Sequence, residues 1–432
     1  MQEVIPVSKR SPYSATDVKG VDVGAVAGKL EGSRCVVGVD VGKRELMACV
    51  YSAGRQFERP WRVQAPGEVR LLVEKLLELK GRVGLVVAME SSGTYGDALR
   101  QALADAGVEV WRVSGMAVKG HAEGFDGVPS QHDGKDAAVM AELCWEGHAK
   151  RWDWSPAGES DQALGYWVRR LDRAQRIKQI AAGKLEALMA KYWPEASGLL
   201  EASGATLPGA LHRWGSPGEL GSDPRAAEVL AGLGGHYLKP AKIAAVVASA
   251  RQSVGVRMSR WERREVQEIA ELVLAQRREM RWCKRELREL SKGYPAILAQ
   301  EPAVGLVAAC VLWVCLGDVR DYPSAGAYRK AMGLNLTEWS SGSFRGPLRL
   351  SKRGQSLTRK WVYFAALRWM RHAAVKRWVE RKKQRDGGKG KKAAVAVMRR
   401  LVLSAWHAGY HGVAFAPERL FPGLAPRRRT RG

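Results

Sequence analysis

Four acidic residues, placed at the ends of apolar runs and at a helix start, are where this chain could do chemistry. Asp40 closes the β-branched run Cys35-Val36-Val37-Gly38-Val39, after which Val41-Gly42-Lys43 turns the chain and Leu46 to Tyr51 runs extended again. Two strands joined by a glycine turn is the natural reading of that stretch. Glu90 closes a second apolar run, Val83 to Met89, ahead of the loop Ser91-Ser92-Gly93-Thr94-Tyr95-Gly96. Asp133 and Asp136 stand three apart where the pattern SQHDGKDAAVMAEL (130–143) turns helical, so they share one face. Each acid alone has an ordinary explanation, as a turn cap or a partner of the helix dipole. As a converging set, four carboxylates repel one another unless divalent cations lie among them. Mg²⁺ takes carboxylate oxygens together with substrate phosphates and water. Two such ions roughly 4 Å apart activate a nucleophile and stabilise a leaving oxygen, which is phosphodiester chemistry.

The elements that must carry these acids follow from periodicity. After the opening hairpin, residues 66–80 repeat apolar positions as an amphipathic helix, and residues 97–106 do so again. Between and after them, Val83 to Met89 and Val108 to Val113 read as strands. Strands alternating with helices predict an α/β layer with parallel pairs. From Glu159 the composition changes. Leu164, Val168, Leu171, Ile177, Ala181, Leu185 and Leu188 mark one face of a long helix flanked by Arg169, Arg170, Arg173, Arg176 and Lys178. A second long helix runs through Val266, Ile269, Val273, Gln276, Met280, Cys283, Leu287 and Leu290, whose alternating steps of three and four are coiled-coil spacing. Pairing within one chain and pairing between subunits both satisfy that spacing.

Charge narrows the partner. Lys and Arg number 70 against 44 Asp and Glu, a net +26, and a chain so basic along its length points to a polyanion, nucleic acid before a membrane surface. The longest apolar run, Ala303 to Leu316, falls short of the roughly 20 residues that span a bilayer. The six cysteines show no CxxC pair and lie mostly in apolar stretches, which predicts reduced core thiols in a cytoplasmic protein. His407 and His411 have helical ligand spacing but no evident third ligand. Between Lys376 and Lys392 nine residues are basic, and that run is read as a grip on a phosphate backbone.

The motifs GVDVGK, AMESSGTYG and SQHDGKDAAVMAEL resemble the RuvC-like, RNase H-fold domain of the DEDD transposases of the insertion sequence 110 family, relatives of the pilin-inversion recombinases. The resemblance places that family's four metal-binding catalytic acids on Asp40, Glu90, Asp133 and Asp136, and makes Lys135 a candidate phosphate contact. It covers roughly residues 34–150 and 295–385. In the second stretch, Pro302-Ala303-Val304-Gly305 keeps only the last glycine of the family's Pro-Gly-x-Gly turn. The segment AYRKAMGLNLTEWSSGSFRGPLRLSKRGQSLTRKWVYFAAL matches more closely. There the family's nucleophilic serine falls on Ser340 or Ser341, with Ser341 favoured because it directly precedes Gly342, and Arg345, Arg349, Lys352 and Arg353 beside it suit phosphate gripping. By resemblance the protein is a transposase that cuts and rejoins DNA through Mg²⁺-bound carboxylates, two ions per site, and a covalent phosphoserine. The resemblance also implies a structured non-coding guide RNA, donor and target DNA, and a homo-oligomer between dimer and tetramer. It further implies a prokaryotic, cytoplasmic setting with association to the nucleoid during action.

The expected fold class is α/β plus α: a RuvC-like (RNase H-fold) domain, long coiled-coil helices and a mainly helical C-terminal transposase domain. The expected boundaries are a loose leader at 1–32, the catalytic domain at 33–157, and the coiled-coil region at 158–294 with an insert at 196–256. The transposase domain follows at 295–385 and a basic extension at 386–432. Three other readings fit parts of the sequence. A junction-resolving nuclease would use the acids with water as nucleophile. A sugar-kinase-like ATPase shares the Asp-x-Gly turn but lacks a second phosphate loop and fits the charge badly. A non-catalytic nucleic-acid scaffold would leave the four acids unexplained.

Overall fold

The structure, a computed structural model, describes residues 13–30, 34–52, 58–91, 93–128, 132–152 and 158–421. It divides into two compact units, residues 1–156 and 157–432.

The first unit is built on the strands β1 (Thr16–Asp17), β2 (Arg34–Val41), β3 (Glu45–Ser52), β4 (Trp61–Gln64), β5 (Gly84–Glu90), β6 (Glu109–Val113) and β7 (Lys150–Arg151). They form one sheet in the order β1-β4-β3-β2-β5-β6-β7. β2 and β3 are the antiparallel hairpin read from the sequence, whereas β2, β5 and β6 run parallel. Parallel neighbours need crossover helices, and these are α2 (Val69–Lys80) and α3 (Asp97–Asp105), followed by α4 (Gly115–Asp126) and α5 (Asp133–Trp145). The two-residue period of a strand divides β2 between two cores. Cys35, Val37 and Val39 pack with Leu72, Leu76, Leu99 and Leu103 of α2 and α3. Val36, with Val86 and Ala88 of β5, packs against Val139, Met140 and Leu143 of α5.

The expected loose leader is overturned for residues 13–30. β1 pairs with β4, helix α1 (Val23–Lys29) follows, and Val18, Val21, Val23 and Val26 are buried in the sheet's core. Glycine- and valine-rich stretches of this kind carry no sustained period, so their burial depends on the sheet edge they cover.

The second unit begins with the long helices α6 (Glu159–Tyr192) and, after the insert, α12 (Arg260–Ser291). They pair within the chain and run antiparallel, as Arg170 with Glu279, Lys184 with Glu265 (2.6 Å) and Lys191 with Glu262 (3.3 Å) require. Of the heptad residues, Val266, Val273, Cys283 and Leu287 are fully buried. The insert is a compact helical cap of α7 (Ala196–Leu199), α8 (Thr206–Trp214), α9 (Pro217–Ser222), α10 (Ala226–Gly234) and α11 (Pro240–Arg251). Its core takes in Leu185, Met189 and Tyr192 of α6 and Val266 and Ala270 of α12.

At the other end of the pair, Leu164, Val168, Leu171, Cys283 and Leu287 join the core of the C-terminal part. That part comprises α13 (Pro295–Val304), α14 (Leu306–Leu316), α15 (Ala325–Ala331), α16 (Ser356–Arg371), α17 (Ala373–Arg385), α18 (Gly390–His411) and α19 (Pro417–Leu420). The one glycine kept from the family's turn, Gly305, stands between α13 and α14 at φ +85°, a conformation that favours glycine. The expected basic extension from residue 386 is corrected over α18, where Ala393, Val397, Leu401, Val402 and Ala405 are buried in the same core. Residues 422–432, which hold the terminal arginine run, lie outside the described residues. All six cysteines are free, and no helix among the described residues is long and apolar enough to cross a membrane.

The closest approach in the first unit is at Gly38, where a Cβ would stand 1.9 Å from the backbone oxygen of Ala137 on α5. Gly38→Ala should therefore cost about 3 kcal/mol or more of stability, read by urea denaturation. An unchanged midpoint would show that α5 does not rest on β2 at this point.

Candidate active site

Strand register brings the first two acids together. β2 and β5 are parallel with Val39 opposite Met89, so Asp40 and Glu90 follow side by side on neighbouring strands. Alternation puts both on the face covered by α4 and α5, the face of Val36, Val86 and Ala88. The contact at Gly38 then fixes where α5 begins relative to that edge. Ala137 lies over Gly38, and Asp133, one turn earlier, shares its face with Asp136 beside it.

Electrostatics show the result. Burial first, and then the charges of Asp133, Asp136 and Glu90, push the Asp40 carboxyl up to about 6. Burial and Asp133 also raise Asp136, an effect opposed by Lys119, Lys135 and His132. All four predicted acids are thus in one electrostatic cluster, with Asp133 exposed and the other three partly buried.

Three supports of this cluster were not visible in the residue pattern. Glu90 lies against the first turn of α4, where a Cβ on Gly115 would fall 2.4 Å from its Oε2. The start of α5 is capped by His132, whose Nδ1 accepts from the Gly134 amide at 3.1 Å. Asp126, at the end of α4, accepts from Tyr13 Oη at 2.6 Å and from Lys135 Nζ at 2.5 Å. Burial raises the Asp126 carboxyl, but the Lys135 and Tyr13 hydrogen bonds outweigh it and bring it down to about 2. The reading of Lys135 as a phosphate contact is corrected here. Its side chain is fully buried, and its ammonium is shared between Asp126 and the Val128 carbonyl at 2.6 Å. A buried ammonium so paired anchors the start of α5 and has no surface to offer DNA.

The four acids offer only hard oxygen donors, the chemistry Mg²⁺ prefers. Among the described residues no three His, Cys, Asp or Glu side chains stand close enough to hold one ion by themselves. Mg²⁺ needs no such trio, because it is bound through one or two carboxylates and keeps its other positions for water and phosphate oxygens.

The predicted serines lie in the second unit, on a small ribbon of two strand pairs. Strands β8 (Leu336–Thr337) and β11 (Arg349–Leu350) form its base, and β9 (Ser340–Ser341) and β10 (Phe344–Arg345) its tip. Gly342 turns the tip at φ +57°, as the first position of a two-residue hairpin turn with a leading glycine requires. Ser340 and Ser341 are both exposed, and so are Arg349, Lys352 and Arg353. Arg345 pairs through its backbone with Ser340, and its side chain lies outside the described residues. The base is held by Ser351 Oγ donating to Asn335, and by Arg359 donating to the carbonyls of Met332 (2.9 Å) and Gly354 (2.8 Å). Sequence reasoning passed over Trp339 and Phe344, which stand 76% and 64% exposed on this ribbon.

A central strand ending in Asp40, a parallel neighbour ending in Glu90 and a helix bearing Asp133 and Asp136 make the first unit a RuvC-like RNase H fold, the class of metal-dependent phosphodiester enzymes. Two family models match the chain in succession: the DEDD transposase model of the insertion sequence 110 group over residues 37–194, and the transposase model of the IS116/IS110/IS902 family over residues 296–384. The chain belongs to this transposase family and is an enzyme that acts on DNA. Among solved structures it is similar to Thermus thermophilus RuvC in complex with Holliday junction substrate. That match has 20% identity and a TM-score of 0.23, and covers 28% of this chain and 99% of that one. A second structure of RuvC from the same organism matches at 21% identity and a TM-score of 0.22, covering 27% of this chain and 99% of that one. No curated protein matches.

Two outcomes test the cluster. A carboxyl raised on folding contributes stability while protonated and loses it as pH climbs through its folded value. In chelator, Asp40→Asn should stabilise the protein by about 1–3 kcal/mol above the Asp40 value of about 6 and by little below 3.8, its unperturbed value. The same gain at both pH values would place Asp40 outside the field of the other acids. At Gly115, alanine suits a helix better than glycine, so Gly115→Ala should keep or raise the melting temperature while displacing Glu90. Strand cleavage should fall at least tenfold, and adding Glu90→Asp, which shortens that side chain, should restore part of it. Full cleavage by Gly115→Ala would show that Glu90 needs no room there.

Proposed function

We propose that this transposase cuts and rejoins DNA with Ser341 as nucleophile and Asp40, Glu90, Asp133 and Asp136 as the site for Mg²⁺. The clustering of the four carboxylates in one field is the observation that carries the reading. Like charges gathered at that cost are useful where a cation and a phosphate are to be bound. Mg²⁺ held by them, two ions in the family's pattern, supplies Lewis-acid stabilisation of charge on the phosphate oxygens. Of the residues themselves, Asp40 and Glu90 are fixed by strand register, and Asp133 and Asp136 by the seating of α5, so the donors are set before substrate arrives.

In the transfer, the Ser341 oxygen forms a bond to phosphorus as the bond from phosphorus to a deoxyribose oxygen breaks. The serine proton is lost, and the departing oxygen takes up a proton to become a hydroxyl. The phosphoserine link conserves the bond energy, so attack by the hydroxyl of another DNA end can release the serine and restore a phosphodiester. Exposure of Ser341 beside Gly342 on a turn tip supports its choice, since a phosphate can reach it without backbone obstruction.

The same reading includes a structured guide RNA and assembly of several copies. A basic cleft supports the RNA: about 770 Å³ between α6 and α16, lined by Arg169, Arg173, Arg176 and Lys360 around Asp172. Lys360 and Arg176 are held there by the buried Asp172, at 2.6 and 3.1 Å, leaving their other N–H groups to face a phosphate chain.

The test is a search for the covalent link. The protein is expressed with its flanking non-coding DNA, denatured, and its DNA-bearing peptides are mapped. The expected adduct is on Ser341, and Ser341→Ala should abolish it and lower recombination by a factor on the order of 10³ or more. Mg²⁺-dependent cutting with no adduct would replace this mechanism with a nuclease that uses water.

A further inference from the structure

We infer that the ribbon tip carrying Ser341 is a base-stacking wedge, in which Trp339 and Phe344 insert against unpaired nucleobases of the DNA. This rests on the reading of Ser341 as the reacting residue only for its place in the reaction, not for the stacking itself.

The geometry comes from the hairpin register. Ser341 pairs with Phe344, and the Gly346 amide donates to the Trp339 carbonyl at 2.9 Å, so Trp339 stands opposite Gly346. Alternation along a strand then puts Trp339, Ser341, Phe344 and Gly346 on one face and Ser340 on the other. The ring of Phe344 lies over Gly346, where a Cβ would meet its Cε1 at 3.2 Å. One face of the tip is therefore a hydroxyl flanked by two aromatic rings, with a glycine leaving space beneath one of them. The neighbouring Leu348 is 58% exposed as well.

Exposed aromatic rings on a two-stranded ribbon gain little from the protein's own core and stand free to meet a partner. Charge selects the occupant. From Trp339 to Val379 the chain has ten Lys or Arg residues and no Asp or Glu. Arg349, opposite Thr337 at the ribbon's base, is exposed, as are Lys352 and Arg353 further along the chain. A second copy of this chain also carries +26 and would meet the tip with like charge, whereas DNA offers phosphates to the cations and π-faces to the rings. Stacking on aromatic side chains is worth about 1–3 kcal/mol per base, and inserted apolar side chains unstack duplex steps. Unstacking beside the scissile phosphate would expose that phosphate to the Ser341 hydroxyl between the rings. Ser340, on the opposite face, has no such setting.

The test compares the full-length protein's affinity for a labelled DNA duplex with its affinity for the same duplex carrying a short unpaired bubble, at fixed salt. The wild type should prefer the bubble by about fivefold or more. Trp339→Ala/Phe344→Ala should lose that preference while holding duplex affinity within about twofold, and Trp339→Phe, which keeps a ring, should retain most of it. The melting temperature should not move, since both rings are largely exposed. Equal wild-type affinity for the two DNAs would overturn the inference, as would a double variant that still prefers the bubble. A change of oligomeric state in the double variant would assign the tip to a protein interface instead and would equally overturn it. Ser341→Ala separates the two proposals: it should keep the bubble preference, and if it also recombines normally, the serine mechanism fails while the wedge stands.

Discussion

Bringing Asp40, Glu90, Asp133 and Asp136 into one another's field is unfavourable, and much of the first unit is arranged around that cost. Asp40 registers it most directly, since its carboxyl is pushed up by burial and by the three neighbouring acids. The arrangement persists because its members belong to different, independently stabilised elements. β2 and β5 are parallel strands with apolar residues on both faces, α5 is seated on bare backbone at Gly38, and α4 leaves room for Glu90 at Gly115. Larger side chains at either glycine would separate the acids or displace one of them.

The segment before the first long strand belongs to this support. Its Tyr13 hydroxyl and the buried Lys135 hold the two oxygens of Asp126, joining the end of α4 to the start of α5. Gly134 is pressed between Pro60 and the Tyr13 carbonyl, with positions for a Cβ 2.8 and 3.1 Å from them. The acid pair on α5 is thus steadied by Tyr13, Pro60, Asp126 and Lys135, and the Lys135 charge serves the fold.

The second unit solves a different problem, the display of basic side chains and an exposed serine ribbon on a rigid frame. Antiparallel pairing of α6 and α12 buries one stripe of each helix and leaves Arg169, Arg173, Arg176, Arg264 and Arg278 exposed, while Arg170 ties the two helices through Glu279. The insert closes one end of the pair and the C-terminal helices the other. Asp172 is the buried acid that joins α6 to α16, through Lys360 at 2.6 Å and Trp361 Nε1 at 3.3 Å. The ribbon of Ser341 projects from this frame on a base locked by Asn335, Ser351 and Arg359. A tip with exposed rings on a fixed base is suited to contact with a partner, because ordering it costs little further entropy.

The sequence by itself determined the strongly periodic elements and where the four acids stand on them. Strands of β-branched residues ending on Asp40 and Glu90, and the heptad steps of α12, are local patterns that burial of one face enforces whatever the neighbours. The family motifs carried the class of protein in the same way. Tertiary structure decided what depends on contacts between distant positions. Residues 13–30 lack a period of their own and fold because a sheet edge is there to cover. Lys135 reads as a free cation beside two acids, yet the proximity of Asp126 and Tyr13 buries it. The insert's short helices have too few apolar residues each to announce a core, and become one only against the ends of α6 and α12. Ser340 and Ser341 are equivalent as a dipeptide; hairpin register alone puts them on opposite faces and sets Trp339 and Phe344 beside the second. Periodicity reports which side of an element is buried, but only the fold decides what meets it.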